Sequence, residues 1–418
     1  MPYTKTISFD CQEKMPAKMK NTDDCVLVSG AGPVGLTAAY CLAEAGIAVR
    51  VFEAEADIVE DLRASTFHPP TLDMLAPSGI TAELIAQGLI CPSWQVRLHP
   101  SGDKAEFNLS VLKGDTDHPY RLQCEQWRLS RALLRRLKNH PNASLQFGTT
   151  VTGLVQDGDG VEVMFDLAGA SQRVRGRYLI AADGARSVLR QALAIPFEGE
   201  TYPETTILAT TTFPFHEHLP GLSNVSYCWR QGAANFSLLR LPGLWRVSIY
   251  PPEDRPVEEA LEAPAIEAAL QAIVPRAERY EVLERRPYRV HQRIAGRYRE
   301  GRVFLAGDAA HLNSPSGGMG MNGGVHDAFN LADKITRVWR GADAALLDLY
   351  ERQRRPAALE QIIAQADANR ARMRERDSQR RSEILAGLKA IIADPARLHA
   401  HLLKTSMITG LRQAETVQ

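Results

Sequence analysis

The sequence predicts an α/β fold in which a doubly wound, parallel-sheet domain is interleaved with an antiparallel sheet and followed by C-terminal helices. Three observations predict it. Residues 25–53 read as a buried strand, a glycine-rich turn, a helix and a second buried strand. Two later buried strands end in Asp183-Gly184 and Gly307-Asp308. Between those two points, residues 200–250 hold several strands with no helical pattern among them, the sign of a separate antiparallel sheet.

Residues 1–22 form a loose extension that ends in the polar cluster Asn21-Thr22-Asp23-Asp24. The apolar stretch from Cys25 to Phe52 is long enough to span a membrane. Gly30, Gly32, Pro33, Gly35, Glu44 and Arg50 interrupt it, which favours strand, helix and strand. Within it, Gly30-Ala31-Gly32-Pro33-Val34-Gly35 matches G-x-G-x-x-G, and Glu53 closes the next strand 23 residues after the first glycine. Gly30 permits the tight turn, Gly32 lets a pyrophosphate approach the backbone, and Gly35 lets helix and strand pack closely. The exposed N–H groups and the positive helix end then face phosphate. Glu53 is suited to accept ribose hydroxyls.

Residues 121–140 carry a helical stripe, and 145–182 alternate as strands with a turn at Asp157-Gly158-Asp159-Gly160. Strands follow at 205–213, 225–229, 236–241 and 245–250, with Pro242-Gly243 as the hairpin turn. Tyr227, Trp229, Arg230, Trp245 and Tyr250 are candidates to touch a substrate, but strand alternation allows only half of them to face a pocket. His291 is a candidate acid–base residue. Tyr178–Ala182 and Arg302–Ala306 are buried strands whose carboxyl ends place Asp183 and Asp308 where α/β sheets hold ligands. The loop from Gly317 to Asn322 opens a helix that carries Val325, Ala328, Phe329, Ala332, Ile335 and Trp339 on one face. Such a loop presents bare N–H groups to an electron-rich ring edge. The tail from 343 is helical and charged, and the run Asn369–Asp377 reads most simply as a solvated helix face, with a subunit contact as the alternative.

Composition narrows the class. Lys+Arg and Asp+Glu both total 49, so a zero net charge offers nucleic acid and acidic membranes no electrostatic footprint. The six cysteines include no Cys-x-x-Cys pair, so no metal site is expected, and a reducing, cytoplasmic setting is.

The three motifs, in this order, resemble the class A flavoprotein monooxygenases, the para-hydroxybenzoate hydroxylase-like family. Asp183-Gly184-Ala185-Arg186-Ser187 with Arg190 matches that family's D-G motif. Gly307-Asp308-Ala309-Ala310-His311, with Pro315, Gly318, Gly320, Met321, Asn322 and Asp327-Ala328, resembles its G-D motif. Ser314 departs, because many members carry a second proline there. The resemblance implies a Rossmann-like FAD-binding domain made of residues 23–90, 121–199 and 290–342. The substrate domain would be residues 91–120 and 200–289, with a helical region at 343–418. It implies that Gly30, Gly32, Pro33, Val34, Gly35, Glu53, Ala54 and Arg63 bind FAD, together with Gln126, Asp183 and Arg186. Gly307, Asp308, Gly318, Gly320, Met321 and Asn322 complete that set. Pro315, in contact with FAD, would also flank the oxygen chemistry.

The implied reaction hydroxylates a small phenolic or N-heteroaromatic substrate with O2 and NADH or NADPH, through a flavin C4a-hydroperoxide. No Rossmann motif is left over for the nicotinamide. A homodimer is carried as an expectation, and an epoxidase or reductase built on the same cofactor stays open on sequence grounds.

Overall fold

A computed structural model describes residues 23–61, 64–230, 235–251 and 255–418. The parallel sheet has six strands in the order Arg299–Glu300, Val303–Leu305, Tyr178–Ala181, Val26–Ser29, Val49–Phe52 and Ala143–Gln146. All neighbours run parallel except the first pair. Val26 pairs with Tyr178 on one side and Val49 on the other. Val26, Leu27, Val28 and Ser29 are all buried, as a strand covered on both faces requires. The helix Pro33–Glu44 packs against the sheet and against the helices Gln126–Lys138 and Gly320–Trp339.

Gly30 closes the turn before that helix. Its φ is +102°, and a Cβ there would collide with the Ala182 carbonyl oxygen. Gly35 is packed so closely that a Cβ would strike the Gly30 carbonyl oxygen. Both demands belong to the backbone, so the first turn of the helix is fixed by sequence.

An eight-stranded sheet stands beside this domain. Its order is His311–Leu312, Val282–Ala295, Phe197–Thr211, Leu244–Ile249, Phe236–Leu241, Val225–Arg230, Ser93–His99 and Lys104–Asn108. It departs from the expected antiparallel sheet at one pair: Val225–Arg230 runs parallel to Ser93–His99. Two strands of the parallel sheet, Ala143–Gln146 and Tyr178–Ala181, lie between them in sequence, so a crossover, not a hairpin, joins them. Phe197–Thr211 and Val282–Ala295 pair over most of their length and carry the sheet toward the nucleotide-type domain.

One face of this sheet covers a core of Phe213, Phe215, Trp245, Ile266 and Leu270. Near its far edge Trp94, Phe107 and Trp229 pack on Leu385, Leu388 and Leu402 from the C-terminal helices. The run Asn369–Asp377 is therefore not a solvated face. Asn369 and Met373 are buried, because the helix Ala364–Arg374 lies across the sheet. Among the described residues no helix is long and apolar enough to cross a membrane.

Candidate active site

The loop after Val26–Ser29 and the carboxylate closing Val49–Phe52 are tied together. Glu53 Oε2 accepts the Ala31 N–H at 2.6 Å, and Oε1 accepts the Glu55 N–H at 3.0 Å. Gly30, Gly32, Pro33, Val34, Glu53 and Ala54 line one wall of a cavity of about 540 Å³. A Cβ added at Gly32 would meet nothing within 4 Å, so the backbone there is open to a bulky group.

The second and third motifs line the same cavity through Asp183 and Arg186, and through Asp308, Pro315, Gly318, Gly320 and Met321. Gln126, at the start of its helix, joins them. Arg190 staples the two loops together. Its Nη1 donates to the Ala309 carbonyl at 3.0 Å and its Nη2 to the Ala185 carbonyl at 3.0 Å. Asp183 Oδ1 is buried with no hydrogen-bond partner, and burial raises the carboxyl's pKa. A buried acceptor of this kind calls for a donor from a ligand. Open backbone at Gly32, a ribose-type acceptor at Glu53 and the orphan oxygen of Asp183 together fit a dinucleotide.

Three expected cofactor residues do not line the cavity but shape it. Gly35 sits inside the helix–strand contact. Gly307 donates its N–H to Asp327 Oδ2 at 3.2 Å. Asn322 is fully buried; its Oδ1 accepts the His68 N–H at 2.9 Å, and its Nδ2 donates to the Thr66 and Gly318 carbonyls at 2.8 and 2.7 Å. Arg63 lies outside the described residues.

Beneath the glycine-rich loop a charged network is sealed from water. Asp327 Oδ1 accepts from Arg354 Nε at 2.7 Å, and Oδ2 lies 2.8 Å from His311 Nε2. Burial alone would raise the Asp327 carboxyl, but Arg354 and His311 hold it below its ordinary value. His311 is thus part of a support and not a group facing substrate.

His291 is corrected. Tyr288 and Val290 of the same strand line the cavity, so alternation turns His291 to the other face, where its Nδ1 lies 2.9 Å from Thr201 Oγ1. Of the five aromatic and basic candidates, Tyr227 and Tyr250 line the cavity. Trp245 belongs to the core on the opposite face. Trp229 is covered by the helix Ala364–Arg374, its Nε1 donating to the Arg372 carbonyl at 2.8 Å. Arg230 does not line the cavity.

The sheet register explains the rest of this wall. Tyr227 pairs with Ser237 and Ser237 with Ser248, which pairs with Leu208, and all four line the cavity. Arg246 lies two residues from Ser248 on the same face; burial, with Arg286 nearby, lowers its pKa to about 10, so it stays a cation at neutral pH. Burial pushes Tyr250 up to about 12, keeping its hydroxyl neutral. Arg370 and Arg374 complete the wall from the C-terminal helix. Sequence reasoning missed Arg246, Tyr288, Arg370 and Arg374. Alternation around Tyr250 could have flagged Arg246, whereas nothing local marks the two helix arginines.

Comparison with known proteins agrees with this geometry. The family model of the FAD binding domain matches residues 23–366. The chain is 35% identical over 399 residues to para-nitrophenol 4-monooxygenase of Pseudomonas sp. (strain WBC-3), covering 94% of this chain and 98% of that protein. It is 34% identical to 6-hydroxy-3-succinoylpyridine 3-monooxygenase of Pseudomonas putida (strain DSM 28022 / S16), over 82% of this chain and 87% of that one. The crystal structure of p-nitrophenol 4-monooxygenase from Pseudomonas putida DLL-E4 superposes with a TM-score of 0.86 at 32% identity, covering 93% of this chain and 98% of that chain. This chain belongs to the FAD-dependent aromatic hydroxylases, the class A flavoprotein monooxygenases.

Proposed function

We propose that this enzyme consumes NADH or NADPH and O2 to place one hydroxyl on a small phenol or N-heteroaromatic ring lying on the face of the eight-stranded sheet. One observation carries the reading. Three motifs far apart in sequence and the sheet face bound a single cavity. Bound FAD supplies hydride acceptance and oxygen activation. The chain's own residues do the rest.

Glu53 accepts the adenosine ribose hydroxyls, and the Gly30–Val34 turn presents N–H groups to the pyrophosphate. Asp308 accepts from the ribityl chain. The backbone at Gly318, Gly320 and Met321, which lines the cavity, would offer fixed dipoles to a negative charge on the bound cofactor. Pro315 and its loop, which line the cavity, would cover the bound cofactor and help exclude water. Arg186, which lines the cavity with Asp183, would be the contact for the nicotinamide. The hydroxyls of Tyr227 and Tyr250 orient the aromatic substrate.

The free thiols of Cys41, Cys91, Cys124 and Cys228 support a reducing, cytoplasmic setting. A homodimer is the working assembly, to be read by light scattering.

A panel of phenols and N-heteroaromatics, assayed with NADH and NADPH under labelled O2, tests the reading. The expected result is accelerated nicotinamide oxidation and a product heavier by one labelled oxygen atom. Peroxide as the sole oxygen product with every aromatic would overturn it.

A further inference from the structure

Three successive carbonyls of the glycine-rich loop are each held by a buried side chain, and the three side chains come from different parts of the chain. The Ser316 carbonyl accepts from Nδ2 of Asn369, in the helix Ala364–Arg374, at 3.3 Å. The Gly317 carbonyl lies 2.8 Å from Nε2 of His68, which precedes the helix Pro69–Leu75. The Gly318 carbonyl accepts from Nδ2 of Asn322, in the helix Gly320–Trp339, at 2.7 Å. All three holding residues are buried.

Each hold has a fixed chemistry. A carbonyl oxygen only accepts, so His68 Nε2 carries the ring proton. Among the described residues its Nδ1 meets no hydrogen-bond partner, and burial drives the imidazole well below its ordinary pKa, so the ring stays neutral. Asn369 is oriented in turn. Its Oδ1 accepts from Arg372 Nη2 at 2.7 Å and from Gln365 Nε2 at 3.2 Å, which leaves Nδ2 for the loop.

A peptide group is planar and trans, so a carbonyl held one way turns the next N–H the other way. Fixing Ser316 and Gly318 therefore turns the N–H groups of Gly317 and Met319 away from Asn369 and Asn322. Gly317 and Met319 both line the cavity, whereas His68 and Asn369 do not. The peptide between those amides closes a tight turn: the Gly318 N–H donates to the Pro315 carbonyl at 3.0 Å, with Gly317 at a φ of +104°. His68 holds the carbonyl of that same peptide, and so locks the turn.

A hydride brings two electrons and one proton, so a ring that accepts one gains a negative charge. Fixed amide dipoles aimed at that charge favour the reduced cofactor over the oxidised one. We propose that His68 and Asn369 are positioning residues that raise the reduction potential of the bound flavin without touching it, by holding the Gly317 and Met319 amides toward the cavity. The proposal rests on FAD occupying that cavity.

The test is an anaerobic reductive titration of the FAD-loaded enzyme against reference dyes, which gives the two-electron midpoint potential. His68→Leu and Asn369→Leu each move the balance between oxidised and reduced flavin roughly tenfold toward oxidised, a midpoint lower by about 30 mV. His68→Gln places an amide nitrogen where Nε2 stood and recovers most of the shift. A midpoint potential measures the ratio of affinities for the two redox states. A side chain that only supports the fold weakens both states together and leaves that ratio in place. If His68→Leu does not retain FAD, Asn369→Leu, on another element, decides the question. FAD-loaded variants whose midpoint equals that of the parent, whatever their Tm, overturn the proposal and leave FAD binding intact. So does a His68→Gln variant displaced as far as His68→Leu. A parent apoprotein that takes up no FAD removes the reading beneath the proposal as well.

Discussion

Glu53 performs two tasks with one carboxylate: it braces the Ala31 and Glu55 N–H groups, and it lines the cavity proposed to hold the dinucleotide. Glu53→Gln keeps the shape and removes the charge. It is expected to weaken FAD binding roughly 10- to 100-fold, as read by fluorescence titration of the apoprotein. His291 makes the opposite case. Because its ring is turned from the cavity, His291→Ala should leave kcat/KM within about a factor of two; a larger drop in steady-state assays would reinstate it. Asp327 sets a pH dependence. Its folded pKa lies below the ordinary value, so as pH falls the unfolded chain takes up the proton first. The stabilisation is complete above the ordinary carboxylate pKa and is lost as pH falls through the folded value. Thermal melts should therefore show Tm declining from about pH 5 downward, with a shallower limb in Asp327→Asn. Asp327→Ala leaves Arg354 buried and unmatched, at a cost of about 3–5 kcal/mol.

At the scale of elements, what was legible in sequence follows from where each constraint acts. The turn at Gly30 is dictated by its own φ and by the nearby Ala182 carbonyl, so a glycine must appear and can be read. Asp183 and Asp308 are legible for the same reason, since each ends a strand whose burial is written in consecutive apolar residues. The sheet wall is different. Tyr227, Ser237, Ser248 and Leu208 meet only through register across four strands, and no one strand shows which of its faces is covered. The arginine helix is harder still. Its composition is that of a solvated surface, and only long-range contacts, such as Asn369 with Ser316 and Arg372 with Trp229, turn one face inward. Trp229→Phe removes the Nε1 bond that anchors this helix to the sheet. The expected loss is about 1 kcal/mol, measured as a lower denaturant midpoint with faster proteolysis after Arg374.

At the scale of the whole molecule, two sheets of different kinds share one cavity, and a ligand that touches both couples them. FAD at a hundredfold excess over its Kd should add about 2.7 kcal/mol to stability. Calorimetric scans across FAD concentrations are expected to show one transition moving upward, and a Tm indifferent to FAD would contradict the shared cavity.

The order in which the walls are made has a consequence for biosynthesis. The first lining residue is Ser29 and the last is Arg374. A chain emerging from the ribosome at ~5–20 residues per second exposes the nucleotide turn tens of seconds before the arginine helix exists to close the far side. Loading of the flavin is then a late event in the life of the polypeptide, and a nascent chain stalled short of that helix holds a half-built vessel open to solvent.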